Sequence, residues 1–223
     1  MPIADYSEFI VKICGITNEA DASAAAEAGA TAIGLNFYAR SPRFVTAASA
    51  RAIAVALPGS MLKVGVFVNT TAEEIRAIAQ QAALDVVQLH GSAPGDLRGL
   101  RIWRAVPVDD RFPESLNGLE DAEAFLVDAP TKDYGGSGQT FDWSRTAGLS
   151  RRIVLAGGLD ASNVSKAIST VNPWGVDACS RLESAPGKKD AQKMRRFVAE
   201  ALHARAQAAR LREREPFEQE LLS

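Results

Sequence analysis

Eight short runs rich in β-branched and aromatic residues, with alanine-rich stretches between most of them, constrain this chain more than any other feature of its sequence. They cover residues 9–14 (FIVKIC), 32–37 (AIGLNF), 62–68 (LKVGVFV), 85–90 (DVVQLH), 101–106 (RIWRAV), 124–128 (AFLVD), 152–157 (RIVLAG) and 174–179 (WGVDAC). Short, nearly continuous apolar runs are the mark of strands covered on both faces, and parallel neighbours need a crossover of a dozen or so residues. The intervening segments supply it at 18–29, 46–57, 71–82, 160–170 and 188–215, with weaker helical patterning at 94–99, 113–122 and 142–148. Asn18, Thr46, Thr71 and Asp160 stand where side-chain oxygens would cap helices.

Eight βα units in about 210 residues fit a (β/α)8 barrel better than a doubly wound sheet, which has fewer strands and a glycine-rich dinucleotide turn. No G-x-G-x-x-G follows a strand, and the superficially similar YGGSGQT at 134–140 precedes no long helix, so it reads as a mobile loop. The expected fold is α/β, a single-domain barrel over residues 1–205. Residues 206–223 form a C-terminal extension of mixed charge, helical to about Pro216 and then flexible.

Composition excludes several classes of function. A net charge of −2 and a pI near 5.8 give no basic footprint for nucleic acid or an anionic membrane. No apolar run approaches the roughly 18 residues of a membrane span, and MPIADYSEFI lacks the basic and apolar regions of an export signal, so a cytoplasmic protein is expected. Cys14 and Cys179 are too few and too far apart for a disulfide framework, which agrees with a reducing compartment. With His90 and His203 the only histidines, no metal is expected. The oligomeric state stays open.

In such a barrel the chemistry comes from the C-terminal ends of the strands and the loops after them. The polar residues there are Cys14, Asn36, Arg40, Arg43, Asn69, Gln88, His90, Asp128, Asp177 and Ser180, with Gly157 and Gly158 after the seventh strand. Cys14 reads more readily as a packed core thiol than as a reactive group, and Asp128 equally as a solvated carboxylate or an acid. The loops AGGLD (156–160) and CSRLESAPGKKD (179–190) are rich in small residues that let backbone N–H groups approach an anion, which points to a small phosphorylated substrate.

Taken in order, KICGIT, GLNFYARSPRFV, VGVFVN, VVQLHG, YGGSGQTFDW, AGGL and PGKKD resemble the phosphoribosylanthranilate isomerases of tryptophan biosynthesis over about residues 9–200. That resemblance implies a cofactor-free barrel performing an Amadori rearrangement, with Cys14 as general base, Asp128 as general acid and Arg43 on the anthranilate carboxylate. Gln88 and His90 would line the site, Asp177 would line it or serve as a buried structural carboxylate, and Gly157, Gly158 and Ser180 would face the phosphate, with Arg181 beside it. Lys12 or a helix N-terminus could favour the Cys14 thiolate. One departure stands out: the family commonly reads Ser-Ser-Gly-Val-Glu after strand eight, whereas this chain has Cys179-Ser180-Arg181-Leu182-Glu183. Arg181 is thus either a phosphate contact or a solvated side chain. Cys179 would meet Cys14 only if strand register turned both inward.

Two other phosphate-binding barrels share the late loops. A histidine-pathway sugar isomerase would carry carboxylates as both acid and base, and a ribulose-phosphate epimerase a metal-binding His/Asp set. A non-catalytic barrel would lack the acid or the base.

Overall fold

A computed structural model describes residues 9–92, 94–130 and 140–220, with side chains in the last helix as far as Leu211. The YGGSGQT segment, apart from Thr140, therefore lies outside the described residues, as do residues 221–223, where the flexible end is expected.

The eight expected strands form one closed parallel barrel. They are β1 (Ile10–Cys14), β2 (Ala32–Asn36), β3 (Leu62–Val68), β4 (Val86–His90), β5 (Ile102–Pro107), β6 (Ala124–Asp128), β7 (Ile153–Leu155) and β8 (Gly175–Ala178). Closure runs through β1 and β8, with Ile10 opposite Gly175, Lys12 opposite Asp177 and Ile13 opposite Ala178. The fold is thus a (β/α)8-type barrel.

Alternation along each strand sorts its residues between two environments. Ile10, Ala32, Leu62, Val64, Val86, Trp103, Ala124, Leu126 and Val154 pack together inside the barrel. The residues between them, such as Val11, Ile13, Ile33, Leu35, Phe125 and Val176, face the helices and join α-helical side chains such as Ala22, Ile53 and Ile168 in the outer core. One consequence follows directly for chemistry. Positions two and four residues beyond the inner apolar layer, still facing inward, are Lys12 and Cys14, Gln88 and His90, Asp128, and Asp177 with Cys179.

Helices α1 (Glu19–Glu27), α2 (Ala47–Val55) and α3 (Ala72–Ala82) begin as expected, the side chains of Asn18, Thr46 and Thr71 accepting from Asp21, Ser49 and Glu74 amides. Asp160 does not cap its helix. The cap of α4 (Val164–Val171) is Asn163, while Asp160 closes a turn by accepting from the Ser162 amide and hydroxyl. A carboxylate three residues too early satisfies its own loop instead.

The weak helical patterns fail for a physical reason. Around residues 94–99 no helix is formed among the described residues; residues 113–122 hold only a 3-10 turn, Glu114–Leu116, and residues 142–148 another, Trp143–Thr146. Segments this short, interrupted by Pro94, Gly95, Gly99 and Gly118, cannot offset the cost of helix nucleation. The long last helix also starts later than expected. Residues 183–189 make an antiparallel hairpin of β9 (Glu183–Ala185) and β10 (Lys188–Lys189), and α5 then runs over Ala191–Glu220, past Pro216. Proline costs a helix one N–H and bends it without always ending it. Among the described residues no helix is long and apolar enough to cross a membrane.

Candidate active site

Cys14 ends β1 at the barrel mouth, buried to 9% exposure, with Lys12 one inward position below it and wholly buried. Lys12 Nζ donates to Asp177 Oδ1 at 2.8 Å across the β1–β8 seam. Burial alone would lower the Lys12 ammonium, yet Asp177 and Cys14 outweigh it and raise its pKa, so the lysine is a permanent cation under the thiol. Cys179, which continues β8, turns inward too, its Sγ 3.0 Å from where a Cβ on Gly15 would sit, and the two thiols perturb one another. Both cysteines are free thiols.

One proton serves that pair when it ionises. Donation from Cys179 lowers the Cys14 thiol, and Lys12 adds to this against the cost of burial. The same contact, with burial, pushes Cys179 up, which makes Cys14 the more acidic of the two.

Across the mouth, Asp128 at the end of β6 shows the opposite displacement. Burial raises its carboxyl to about 6, helped by Asp177 and opposed by the Ala129 amide, which donates to Oδ1 at 2.7 Å. His90 is held down to about 4 by burial and by Lys12, so its imidazole is neutral near pH 7. Gln88 Nε2 lies 2.9 Å from His90 Nε2, and Gln88 Oε1 is buried with no partner among the described residues.

Arg43, in the loop after β2, is held from an element the sequence did not signal. Its Nε and Nη2 donate to the two carboxylate oxygens of Glu183 at 2.7 and 2.8 Å. Glu183 also accepts from Lys189 Nζ at 2.9 Å. The Arg43 stem crosses Gly15, where a Cβ would sit 2.5 Å from Arg43 Cδ and 3.0 Å from Cys179 Sγ. Glycine is required there twice over, for that space and for its φ of +75°.

On the far side, Gly157 and Gly158 take φ of +86° and +58° after β7, and Asn163 Nδ2 donates to the Gly158 carbonyl at 2.8 Å. Ser180 opens the 3-10 turn Ser180–Leu182 after β8. Arg181 Nη1 is bonded to Asp160 Oδ2 at 2.9 Å, tying these two loops together. The expected residues therefore gather at one end of the barrel from β1, β2, β4, β6, β7 and β8. Sequence reading missed Glu183 and Lys189 as members of the site. Their only signal was adjacency to the strand-eight motif.

A thiol made more acidic and a carboxyl made less acidic, at one end of the same barrel, can take a proton at one atom and give one at another. Among the described residues no three His, Cys, Asp or Glu side chains converge as metal ligands.

Residues 11–200 match the family model for N-(5'-phosphoribosyl)anthranilate (PRA) isomerase. The N-(5'-phosphoribosyl)anthranilate isomerase of Solibacter usitatus is 54% identical over 192 residues, covering 85% of this chain and 95% of the relative. That of Acidithiobacillus ferrooxidans is 45% identical over 196 residues, with the same coverage. The crystal structure of phosphoribosyl anthranilate isomerase from Thermotoga maritima is similar at a TM-score of 0.82, with 41% identity over 87% of this chain and 99% of that one. A phosphoribosyl anthranilate isomerase in complex with reduced 1-(o-carboxyphenylamino)-1-deoxyribulose 5-phosphate is similar at a TM-score of 0.76, with 37% identity over 87% of this chain and 99% of that one.

Proposed function

The chain belongs to the N-(5'-phosphoribosyl)anthranilate isomerase family, and is an isomerase; on that premise we propose that it converts N-(5-phosphoribosyl)anthranilate into 1-(2-carboxyphenylamino)-1-deoxyribulose 5-phosphate with Cys14 as base and Asp128 as acid. The observation that carries this reading is the opposite displacement of two groups in one barrel mouth: a thiol made more acidic and a carboxyl made less acidic.

Asp128, in its protonated form, gives its proton to the ribose ring oxygen as the C1′–O bond breaks. The anthranilate nitrogen supplies the electrons, leaving an open-chain iminium. That cation acidifies C2′–H, and the Cys14 thiolate removes this proton to give an enolamine, which tautomerises to the ketone. Lys12 keeps the base ionised between turnovers. Neutral His90 and the free Gln88 Oε1 suit hydrogen bonds to sugar hydroxyls, while Asp177 holds Lys12.

Arg43 receives the anthranilate carboxylate, a role its planar fork suits better than a lysine would. The phosphate lies, on this reading, between the loops after β7 and β8. There Gly157 and Gly158 leave room for close backbone approach, and Ser180 adds a hydroxyl. Arg181, already bonded to Asp160, shapes that pocket from its edge. The step serves tryptophan biosynthesis, and an unbonded thiol pair at the reacting centre fits a reducing cytoplasm.

The test is turnover of freshly condensed phosphoribosylanthranilate, followed as the loss of its anthranilate-type fluorescence. Cys14→Ala and Asp128→Ala should each lower kcat by about 100-fold or more, the usual loss for a general base or acid. Near-native kcat in either variant would remove that residue from its role.

A further inference from the structure

The hairpin after β8 does more than return the chain to the last helix. Glu183 and Lys189 sit directly opposite one another on β9 and β10, and both are buried, at 8% and 5% exposure. Lys189 Nζ also donates to the Cys179 carbonyl at 3.1 Å, and its backbone amide donates to Asp21 Oδ2 at 2.9 Å. The turn of the hairpin is docked on the loop that carries Arg43. A Cβ on Gly187 would lie 2.8 Å from the Pro42 carbonyl oxygen, and Thr17 donates to the Gly187 carbonyl at 2.6 Å.

Arg43 therefore reaches the barrel mouth with one edge already occupied. Nε and one N–H of Nη2 face Glu183, whereas Nη1 has no partner among the described residues. Glu183 thus shares its carboxylate between Arg43 and Lys189, while Lys193 Nζ donates to the Glu183 carbonyl at 2.8 Å. The Nη1 edge of Arg43 is left to meet an anionic group on the ligand.

We propose that Glu183 is a positioning residue that, with Lys189, presents the Nη1 edge of Arg43 to the substrate and so makes the barrel mouth selective for an arylamine bearing a carboxylate. The proposal rests on the reading of Arg43 given above. Glu183 itself touches no substrate.

Two substrates separate the possibilities: ribose 5-phosphate condensed with anthranilate, and ribose 5-phosphate condensed with aniline, which lacks the carboxylate. The second is measured by its inhibition constant against the first, so the measurement holds whether or not it turns over. Glu183→Gln should raise KM for the anthranilate compound about 10-fold, the scale of one charge-assisted hydrogen bond, with kcat within a factor of about 3. It should leave the inhibition constant of the aniline compound unchanged. Arg43→Ala should raise the same KM by more, and adding Glu183→Gln to it should cost nothing further. Glu183→Gln/Lys189→Met, which leaves neither charge buried, repeats the experiment should the single variant fold poorly.

A rise in KM that spreads equally to the aniline compound, or no rise at all, would overturn the proposal while the response to Arg43→Ala keeps its own meaning. If Arg43→Ala failed to distinguish the two compounds, the carboxylate reading would fall, and the proposal with it.

Discussion

Asp128 is a residue kept at the expense of stability. Its carboxyl is raised by burial to about 6 from an unfolded value near 3.8. The native state therefore binds the proton more tightly than the unfolded chain, so the group destabilises the fold above about pH 6 and ceases to do so below about pH 4. Asp128→Asn should accordingly raise the thermal midpoint at pH 7.5, by an amount equivalent to at most about 3 kcal/mol, while turnover collapses. At pH 4 the two proteins should melt alike, and a variant no more stable than the parent at either pH would contradict the assigned burial cost. Cys179 allows a second test. Its neighbourhood lowers the Cys14 thiol, with Lys12 and Asp177 on the same inward face, Arg43 across Gly15 and Lys189 Nζ at 3.8 Å from the Cys179 sulfur. Removing the donor in Cys179→Ala should move the basic-form limb of the kcat/KM profile up by about 1 to 2 pH units, the scale of a hydrogen bond to a charged group. Cys179→Ser, with a hydroxyl to donate, should recover most of that shift. Identical profiles for parent, Ala and Ser variants would leave Cys179 as packing.

At the scale of single elements, the sequence was readable wherever a local rule had no rival. Asn18, Thr46 and Thr71 cap because each stands directly before an alanine-rich helical run with no Gly or Pro. Asp160 obeyed the same composition rule and still closed a loop, because Ser162 takes its carboxylate and the helix starts later, after Asn163, whose side chain makes no capping hydrogen bond. The β9–β10 hairpin was illegible because five residues split by Pro186-Gly187 carry no usable period. Its stability comes from where it docks. Gly187→Ala forces a Cβ into a φ of +77° and against the Pro42 carbonyl. It should cost about 1 to 3 kcal/mol of folding free energy and raise KM through the displaced Glu183, measured by urea denaturation and steady-state kinetics on one preparation. Native KM in a destabilised Gly187→Ala would separate the hairpin from the substrate.

For the molecule as a whole, closure of the barrel is the decisive event, because it alone joins β1 to β8. Gly175 makes that seam possible: a Cβ there would lie 2.6 Å from Ile10 Cβ and 2.8 Å from the Ile10 carbonyl oxygen. Gly175→Ala should destabilise the fold by about 1 to 3 kcal/mol, and tryptophan fluorescence and far-ultraviolet circular dichroism should report one shared, lowered urea midpoint. Separate midpoints would show that the two halves of the barrel do not depend on the seam. The sequence by itself determined the eight strands, the parallel barrel they make and which residues stand at the C-terminal ends of its strands, because strand and helix periods are local and each apolar run names its own buried faces. Tertiary structure alone decided that Lys12 meets Asp177, that both cysteines turn inward at one mouth, and that Arg43 is gripped by Glu183. Those partners are separated by 165 residues in the case of Lys12 and Asp177 and by 140 in the case of Arg43 and Glu183. No local period encodes such a meeting; it is fixed by the register in which the last strand closes on the first, where a slip of one residue would turn every inward group out towards the helices.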